Sequence, residues 1–208
     1  MNTPTTAETT PGSFSALDVC NVALSKLGEA PIEAISPNLS SASRLCHLHY
    51  HPARRESLTL ARWSFATKEI NLTCDPQPIL EHSKYPYHFT LPMDCLRVMT
   101  VECRDWTMQG KKIRATSSEL PMTYIADIED TTLFDPLFTE ALATHLAEKL
   151  AVPLTGNQAL RQNLAREFHQ VILPLAATTN AVQSHSNDAY PLLSLLRARM
   201  FGDNNNCE

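Results

Sequence analysis

Four potential metal ligands occur within six residues in the segment Cys46-His47-Leu48-His49-Tyr50-His51. On a helix, His47 and His51 are four residues apart and so share a face, a spacing that is found in zinc sites. His49 then points elsewhere, no carboxylate follows at a catalytic spacing, and the H-E-x-x-H pattern is absent. The pattern is typical of a solvated helix face that carries histidines, and we predict no metal site.

Motifs that bind phosphate or activate a nucleophile are missing from the chain. There is no P-loop, no G-x-G-x-x-G and no G-x-S-x-G, and five glycines leave little room for phosphate-binding loops. Carboxylate pairs for glycoside hydrolysis could be drawn from Glu29, Glu33, Asp94 or Asp127, but 22 acidic residues supply such pairs by chance. We therefore predict no catalytic residue and no cofactor.

Composition places the chain among ordinary globular proteins. Its 208 residues are 43% hydrophobic and 19% charged, which excludes the collagen-like, coiled-coil and wholly disordered classes. The length predicts one domain, or one domain with an insertion. The longest nearly unbroken apolar run, residues 171–177, is far shorter than the ~20 residues that span a bilayer. The N-terminus lacks the order of a signal peptide, so neither membrane insertion nor secretion is expected.

The charges argue against a protein that wraps nucleic acid, because the formal net charge is −5. Two basic clusters do occur, at Lys111-Lys112-Ile113-Arg114 and at Arg54-Arg55 with Arg62. The first is typical of a solvated hairpin tip. In the second, Arg55 and Arg62 are predicted to share a helix face, and ion pairs with Glu56 or Glu69 are favoured over contacts with nucleic acid.

The six cysteines are scattered along the chain and form no C-x-x-C pair. A chain of this length has a core without needing disulfides. The pattern therefore indicates reduced thiols, several of them small buried apolar residues.

Apolar residues recur with helical periodicity in two regions of the chain, before residue 65 and after residue 134. Leu17, Cys20, Leu24 and Leu27 predict a first helix that ends at Gly28. A second helix is predicted from a Ser40 or Ser41 cap to about Arg62, with a kink, or two helices meeting, at Pro52. Two further helices are predicted from four-residue apolar spacing: one starts at Asp135-Pro136 and ends before Pro153, and the next opens at Thr155 and is kinked near Pro174.

The pattern between residues 65 and 134 is that of strands. An aromatic-rich segment at 85–91 predicts an edge strand, and residues 96–102 alternate with Leu96, Val98, Thr100 and Glu102 on one face. A hairpin is predicted around Gly110, and residues 122–128 are the last strand candidate. These strands predict a small antiparallel meander packed on the helices.

Several segments of the chain match one family in the right order. They are Ala16-Leu17-Asp18-Val19-Cys20-Asn21-Val22-Ala23-Leu24-Ser25-Lys26-Leu27-Gly28-Glu29-Ala30-Pro31-Ile32, the Arg54-Arg55 helix leading into Trp63-Ser64-Phe65-Ala66, then Tyr87, Leu91-Pro92-Met93-Asp94-Cys95-Leu96-Arg97-Val98, Tyr124-Ile125 with Asp127, Phe134-Asp135-Pro136-Leu137-Phe138, Glu140-Ala141-Leu142-Ala143 and Leu146-Ala147. Together they resemble the tail tubular protein A family, the head-to-tail adaptors of short-tailed bacteriophages. The resemblance covers about residues 15–180.

The resemblance implies a helical bundle with an inserted β domain, which agrees with the reading from periodicity. It also implies a ring of twelve subunits that docks under the portal ring, carries the tail nozzle on its far side and passes the genomic DNA through its channel. The location implied is the head–tail junction of the virion, after synthesis in the host cytoplasm.

The predicted fold class is α+β, mainly α. We expect a four-helix bundle with a small antiparallel β domain inserted between helices 2 and 3, plus an extended C-terminal segment. The expected division is a flexible N-terminal arm at 1–13, a bundle at 14–64 and 135–182, a β domain at 65–134 and a portal-contacting tail at 183–208.

The function expected is that of a structural adaptor without an active site. An apolar and basic stretch near the C-terminus is predicted to bind portal, through Tyr190, Leu192, Leu193, Leu195, Leu196, Arg197, Arg199, Met200 and Phe201, although a fifth helix folded back on the bundle is an alternative for this stretch. Polar and charged helix faces are predicted to supply part of the subunit interface, including those of Arg55, Arg62, Arg161 and Arg166. The alternative functions are a phage cell-wall hydrolase acting at infection and, with less support, a small DNA-binding module.

Overall fold

The computed structural model of the protein describes residues 14–76 and 83–183. Its fold is α+β, about half helical, with two small antiparallel sheets. The helices are α1 (Ala16–Leu27), α2 (Ser41–Leu60), α3 (Pro136–Thr155), α4 (Gln158–Glu167) and α5 (Leu173–Gln183). The strands are β1 (Thr67–Thr73), β2 (Tyr87–Thr90), β3 (Cys95–Val101), β4 (Trp106–Gln109), β5 (Lys112–Ala115) and β6 (Glu119–Ala126). The predicted arm at 1–13 and the predicted portal-binding residues between Tyr190 and Phe201 lie outside the described residues.

Local capping explains where three of the helices begin. Ser15 and Asp18 form a capping box at the start of α1. The Ser40 hydroxyl accepts a hydrogen bond from the Ser43 amide at the start of α2, and the Asp135 carboxylate accepts one from the Phe138 amide ahead of α3. The starts of α2 and α3 confirm the predicted ones. The predicted end of α1 is also confirmed, because Gly28 has a φ of 74°, which suits glycine best.

Proline residues interrupt the helices less than predicted. The helix α2 runs through Pro52, so the alternative of two helices meeting there is wrong. Burial on both sides of Pro52 holds the segment helical, because Tyr50, Ala53 and Leu58 all lie in the core. The helix α3 likewise continues for two residues past Pro153, to Thr155, so its predicted end before Pro153 is wrong; Gly156, with a φ of 66°, caps it.

The fourth helical segment begins and bends at places that differ from the prediction. Thr155 is the last residue of α3, and it is Asn157 that caps α4, through a 2.9 Å hydrogen bond from the Leu160 amide. Near Pro174 the backbone widens into a π-helix over Phe168–Ile172, which joins α4 to α5. Proline has no amide hydrogen to donate, so the hydrogen-bond ladder has to rearrange beside it.

The strands form two three-stranded antiparallel sheets, so the predicted single meander is wrong. The first sheet has the order β1-β6-β3 and the second has the order β2-β5-β4. The last strand, β6, lies at the centre of the first sheet because it can pair on both edges, with β1 on one side and β3 on the other. The strand β1 was not predicted, since most of its residues are exposed and show no apolar alternation.

Other strand predictions are confirmed in part. The strand β2 lies at a sheet edge, and β4 and β5 form the predicted hairpin, with Gly110 in its turn at a φ of 62°. The strict alternation predicted for β3 is wrong, because its pairing with β6 shifts register between Cys95 and Arg97 and again between Val98 and Thr100. Each shift changes which side chains face the core.

The core is continuous from the helices to the first sheet. The helices α1, α2 and α4 each pack on α3, which is apolar on most of its surface. The aromatic side chains of Trp63, Phe65, Phe134 and Phe138 form a cluster at the junction with the β insertion, with Trp63 and Phe138 fully buried. Because large aromatic side chains are costly to leave in water, the sequence predicts that Trp63, Phe65 and Phe138 lie in the bundle core or at its junction with the β insertion. The burial of Trp63 and Phe138 confirms this, and Phe65 is half-buried. Within 14–76 and 83–183, no helix is both long and apolar enough to cross a membrane.

Candidate subunit interface and buried polar clusters

Arg54 is the most deeply buried charged side chain described, with 1% of its surface exposed. Its Nη1 donates to the Ile128 carbonyl, and its Nη2 lies 2.9 Å from Asp127 Oδ1 and 3.1 Å from Glu129 Oε1. The Asp127 contact is an ion pair outside hydrogen-bonding geometry. Arg55 pairs with the same carboxylate, its Nε 3.2 Å from Asp127 Oδ2. The two arginines therefore tie α2 to the chain that follows β6.

The partners predicted for these arginines are wrong. Neither Glu56 nor Glu69 pairs with Arg54 or Arg55 in the described part of the chain. The reason is tertiary, since the acidic stretch after β6 packs against the turn of α2 that carries both arginines. The prediction that they form ion pairs is itself confirmed.

The four predicted interface residues lie at two places, in or just after α2 and on α4. Arg55 is exposed over 58% of its side chain and lines an open groove between α2 and β3. Arg62 is exposed but lies beyond α2, which ends at Leu60, so its predicted sharing of a helix face with Arg55 is wrong. Ala61 takes an extended conformation that stops the helix.

The other two predicted interface residues both lie on α4. Arg161 is exposed, with its Nε 3.7 Å from Glu148 Oε1 on α3. Arg166 is also exposed and has no ion pair with any described residue. The apolar face of α4 turns inward at Leu164, so these two cations lie on its outer surface. The structure therefore places one pair of arginines, Arg55 and Arg62, near the end of α2 and the other pair on α4.

A second polar cluster, which sequence reasoning missed, lies buried between α2 and α3. The Ser57 hydroxyl lies 2.9 Å from His145 Nδ1, and both side chains are almost completely buried. The other ring nitrogen, Nε2, lies 3.6 Å from Glu56 Oε2, which also accepts a 2.7 Å hydrogen bond from the Lys149 ammonium. The ring of His145 stacks on Phe168 in the π-helix, with 4.6 Å between ring centroids. One histidine thus joins three helical elements.

The arrangement resembles a serine–histidine–carboxylate relay in its order of residue types. Ser57 has no exposed surface, so its hydroxyl cannot reach a substrate in this conformation. The hydrogen bonds of this cluster instead satisfy polar groups inside the helical core, where an unpaired polar group would be costly. The only signal in the sequence was the presence of polar residues within apolar periodicity, and that signal does not identify partners 88 residues apart.

Acid is expected to destabilise the fold through His145. Burial, with the charges of Lys149 and His169, lowers the pKa of His145 from 6.5 to about 4, against the opposing effect of Glu56. The unfolded chain therefore binds more protons between these values, and stability falls as pH falls from 6.5 towards 4, by at most about 3 kcal/mol. Urea unfolding across this pH range measures the slope of the free energy of unfolding against pH.

The matched variants for this prediction are His145→Gln and His47→Gln. His145→Gln should flatten the dependence of the free energy of unfolding on pH above pH 4.5. The part that remains is due to His49, whose pKa is also lowered by burial. The hydrogen bond from Lys149 lowers the pKa of Glu56 from 4.5. Protonation of that carboxyl therefore lowers the stability of the fold only as the pH falls below this value. The second variant changes an exposed residue and should keep the wild-type slope. An unchanged slope in His145→Gln would contradict the assignment.

The histidine-rich segment of α2 does not converge on a common point. His47 and His51 are exposed, whereas Cys46 is buried beside Cys20 of α1. Contact with Cys46, together with burial, raises the pKa of the Cys20 thiol, so both sulfurs behave as core atoms. The five described cysteines are free thiols. No group of three or more metal-ligating side chains occurs among the residues described.

The buried clusters hold α2 against α3 and against the end of β6, and the exposed arginines are available to a partner. No family model and no curated protein matches the chain.

Proposed function

We propose that the protein is a structural head-to-tail adaptor of a bacteriophage virion. In this proposal it forms a ring that joins the portal to the tail nozzle and lines the channel through which the genomic DNA leaves, and it has no catalytic role. It is made in the host cytoplasm and resides at the head–tail junction. The resemblance of residues 15–180 to the tail tubular protein A family is the starting point of this proposal.

The observation that carries the proposal is the position of the strands in the chain. All six lie between α2 and α3, while the helices before and after them pack together on α3. This is the layout that the resemblance implies. We further propose that α1, α2, α3 and the continuous α4–π–α5 segment form a four-helix bundle, over residues 14–64 and 135–182, that serves as the body of each subunit.

The C-terminal tail is proposed to bind portal. The segment from Tyr190 to Phe201 carries seven large apolar residues and two arginines after a polar spacer. Such a segment buries apolar surface on a partner and loses conformational entropy as it docks. The partner in this proposal is the portal ring.

Deleting residues 188–208 is expected to abolish binding to portal while leaving the fold intact. All the described helices and strands remain in the shortened chain, so its melting temperature should match that of the full chain. Co-sedimentation with purified portal and thermal unfolding measure the two effects. Loss of the fold would favour the tail as a fifth helix of the bundle, and undiminished portal binding would also contradict the proposal. Release of soluble fragments from peptidoglycan by the full chain would favour the hydrolase alternative.

Assembly on portal is expected to weaken with salt, and to depend on Arg62 and Arg166. Neither residue has an ion pair with a described residue, so Arg62→Gln with Arg166→Gln should reduce ring formation without unfolding the chain. The screening length falls from ~10 Å at 0.1 M to ~3 Å at 1 M salt, which should weaken contacts of exposed charges. Arg44→Gln, at another exposed arginine, is the control. Equal assembly at both salt concentrations would point to an apolar interface.

A further inference from the structure

Unpaired charges of opposite sign lie on two parts of the β insertion. The first sheet has an acidic groove, defined by Glu69, Glu102, Asn71 and Pro121, which runs across β1, β6 and the end of β3. Glu69 and Glu102 are exposed and have no ion pair within 14–76 and 83–183. Register places Glu119 on the same face as Glu69, since Thr73 pairs with Glu119 and Glu69 pairs with Thr123. This face therefore carries three carboxylates.

The second sheet has an apolar face that is only partly covered. On β2 and β5, Phe89, Ile113 and Ala115 are fully buried. Their neighbours on the outer strand β4 continue the same face, because Met108 pairs with Ile113 and Trp106 pairs with Ala115. Yet Trp106 is 38% exposed and Met108 is 53% exposed. The covered face thus runs on into an uncovered strip at the sheet edge.

Cationic residues lie next to both ends of the uncovered strip along the chain. Residues 104–114 carry four cationic side chains against one carboxylate, Asp105. Arg104 and Lys111 are exposed and form no ion pair with any described residue, whereas Lys112 is paired with Asp75. Arg104, Trp106, Met108 and Lys111 make up what we call the hairpin patch.

We propose that the hairpin patch of one copy of the chain docks on the acidic groove of a second copy. The occupant is indicated by complementarity, since two unpaired cations and two exposed apolar side chains meet two unpaired carboxylates beside Pro121, which lines the same groove. Different surfaces meet in such a contact, so it is heterologous and extends to a third copy. Closure of this contact into a ring rests on the proposed function.

Two charge-reversed variants test the contact. In one, Arg104→Glu and Lys111→Glu reverse the hairpin patch; in the other, Glu69→Lys and Glu102→Lys reverse the groove. Each variant alone places like charges together and should lower the association constant at least about tenfold. In an equimolar mixture every hairpin can meet an opposite groove, so association should return towards the wild-type level. Arg44→Glu, on the exposed part of α2, is the control and should associate as wild type does.

Association is measured by sedimentation and by carbodiimide cross-linking between isotope-labelled and unlabelled copies, both in solution and with purified portal. The expected cross-link joins Lys111 to Glu69 or Glu102 of another copy. The proposal is overturned by the absence of this cross-link in both settings, by full association of either reversed variant, or by a mixture that does not recover. Circular dichroism establishes that each variant is folded.

The same experiment separates this inference from the proposed function. Copies that associate through the hairpin but do not bind portal would overturn the adaptor function and support the contact. Reversed variants that still form rings on portal would support the adaptor function and overturn the contact.

Discussion

Replacing Trp63 with alanine is expected to lower the free energy of unfolding by about 3–5 kcal/mol. Trp63 has no exposed surface and packs edge-on against Phe138, with 4.9 Å between ring centroids. Its Nε1 also donates a 2.9 Å hydrogen bond to the Ser57 carbonyl, at the end of α2. The substitution removes the aromatic contact, leaves a cavity at the junction of helices and strands, and deprives a buried carbonyl of its donor.

Trp106→Ala is the matched control for Trp63. It removes the only other tryptophan, which is 38% exposed on the outer strand β4, so we expect a loss of about 1 kcal/mol. Urea unfolding followed by circular dichroism measures both variants, since each lacks one fluorescent side chain. A loss for Trp63→Ala no greater than that for Trp106→Ala would contradict the burial of Trp63.

Arg54→Met is expected to lower the free energy of unfolding by about 3–5 kcal/mol. Methionine occupies similar space without charge, so the effect reports the polar contacts more than the packing. The Ile128 carbonyl loses its donor, and the Asp127 carboxylate, only 20% exposed, keeps Arg55 alone as partner. Removing one member of a buried ion pair costs more than the pair contributes, because the remaining charge stays in a poorly solvated place.

Comparison of Arg54→Met with Arg55→Met separates the effect of burial from the effect of losing a positive charge. Arg55→Met removes an equal charge that contacts the same carboxylate, but from a side chain that is 58% exposed, and we expect a loss of about 0–1 kcal/mol. Adding Asp127→Asn to Arg54→Met should recover part of the loss, since the poorly solvated Asp127 charge is then removed, and the other carboxylate partner of Arg54, Glu129, is 73% exposed to water. Equal losses for Arg54→Met and Arg55→Met in urea unfolding would mean that the burial of Arg54 contributes nothing.

Local sequence determined most of the helix starts and the hairpin. The caps at Ser15, Ser40 and Asp135 each bond to an amide three residues later, and the Gly110 turn joins adjacent strands. Such contacts depend on neighbours within one turn of chain, so residue types at fixed spacing are enough to predict them. The burial of Trp63 and Phe138 was predictable as well, because large aromatic side chains are costly to leave in water.

Only the tertiary structure decided the sheet order and the polar clusters. The strand β1 pairs with β6 across some fifty residues, and nothing in its exposed, polar sequence identifies that partner. Arg54 and Arg55 are identical in type and adjacent in sequence, yet one is buried and the other exposed. Ser57 and His145 likewise meet only because α2 packs on α3. The environment of a polar side chain depends on which distant segments pack beside it, and residue type and spacing carry no record of that packing.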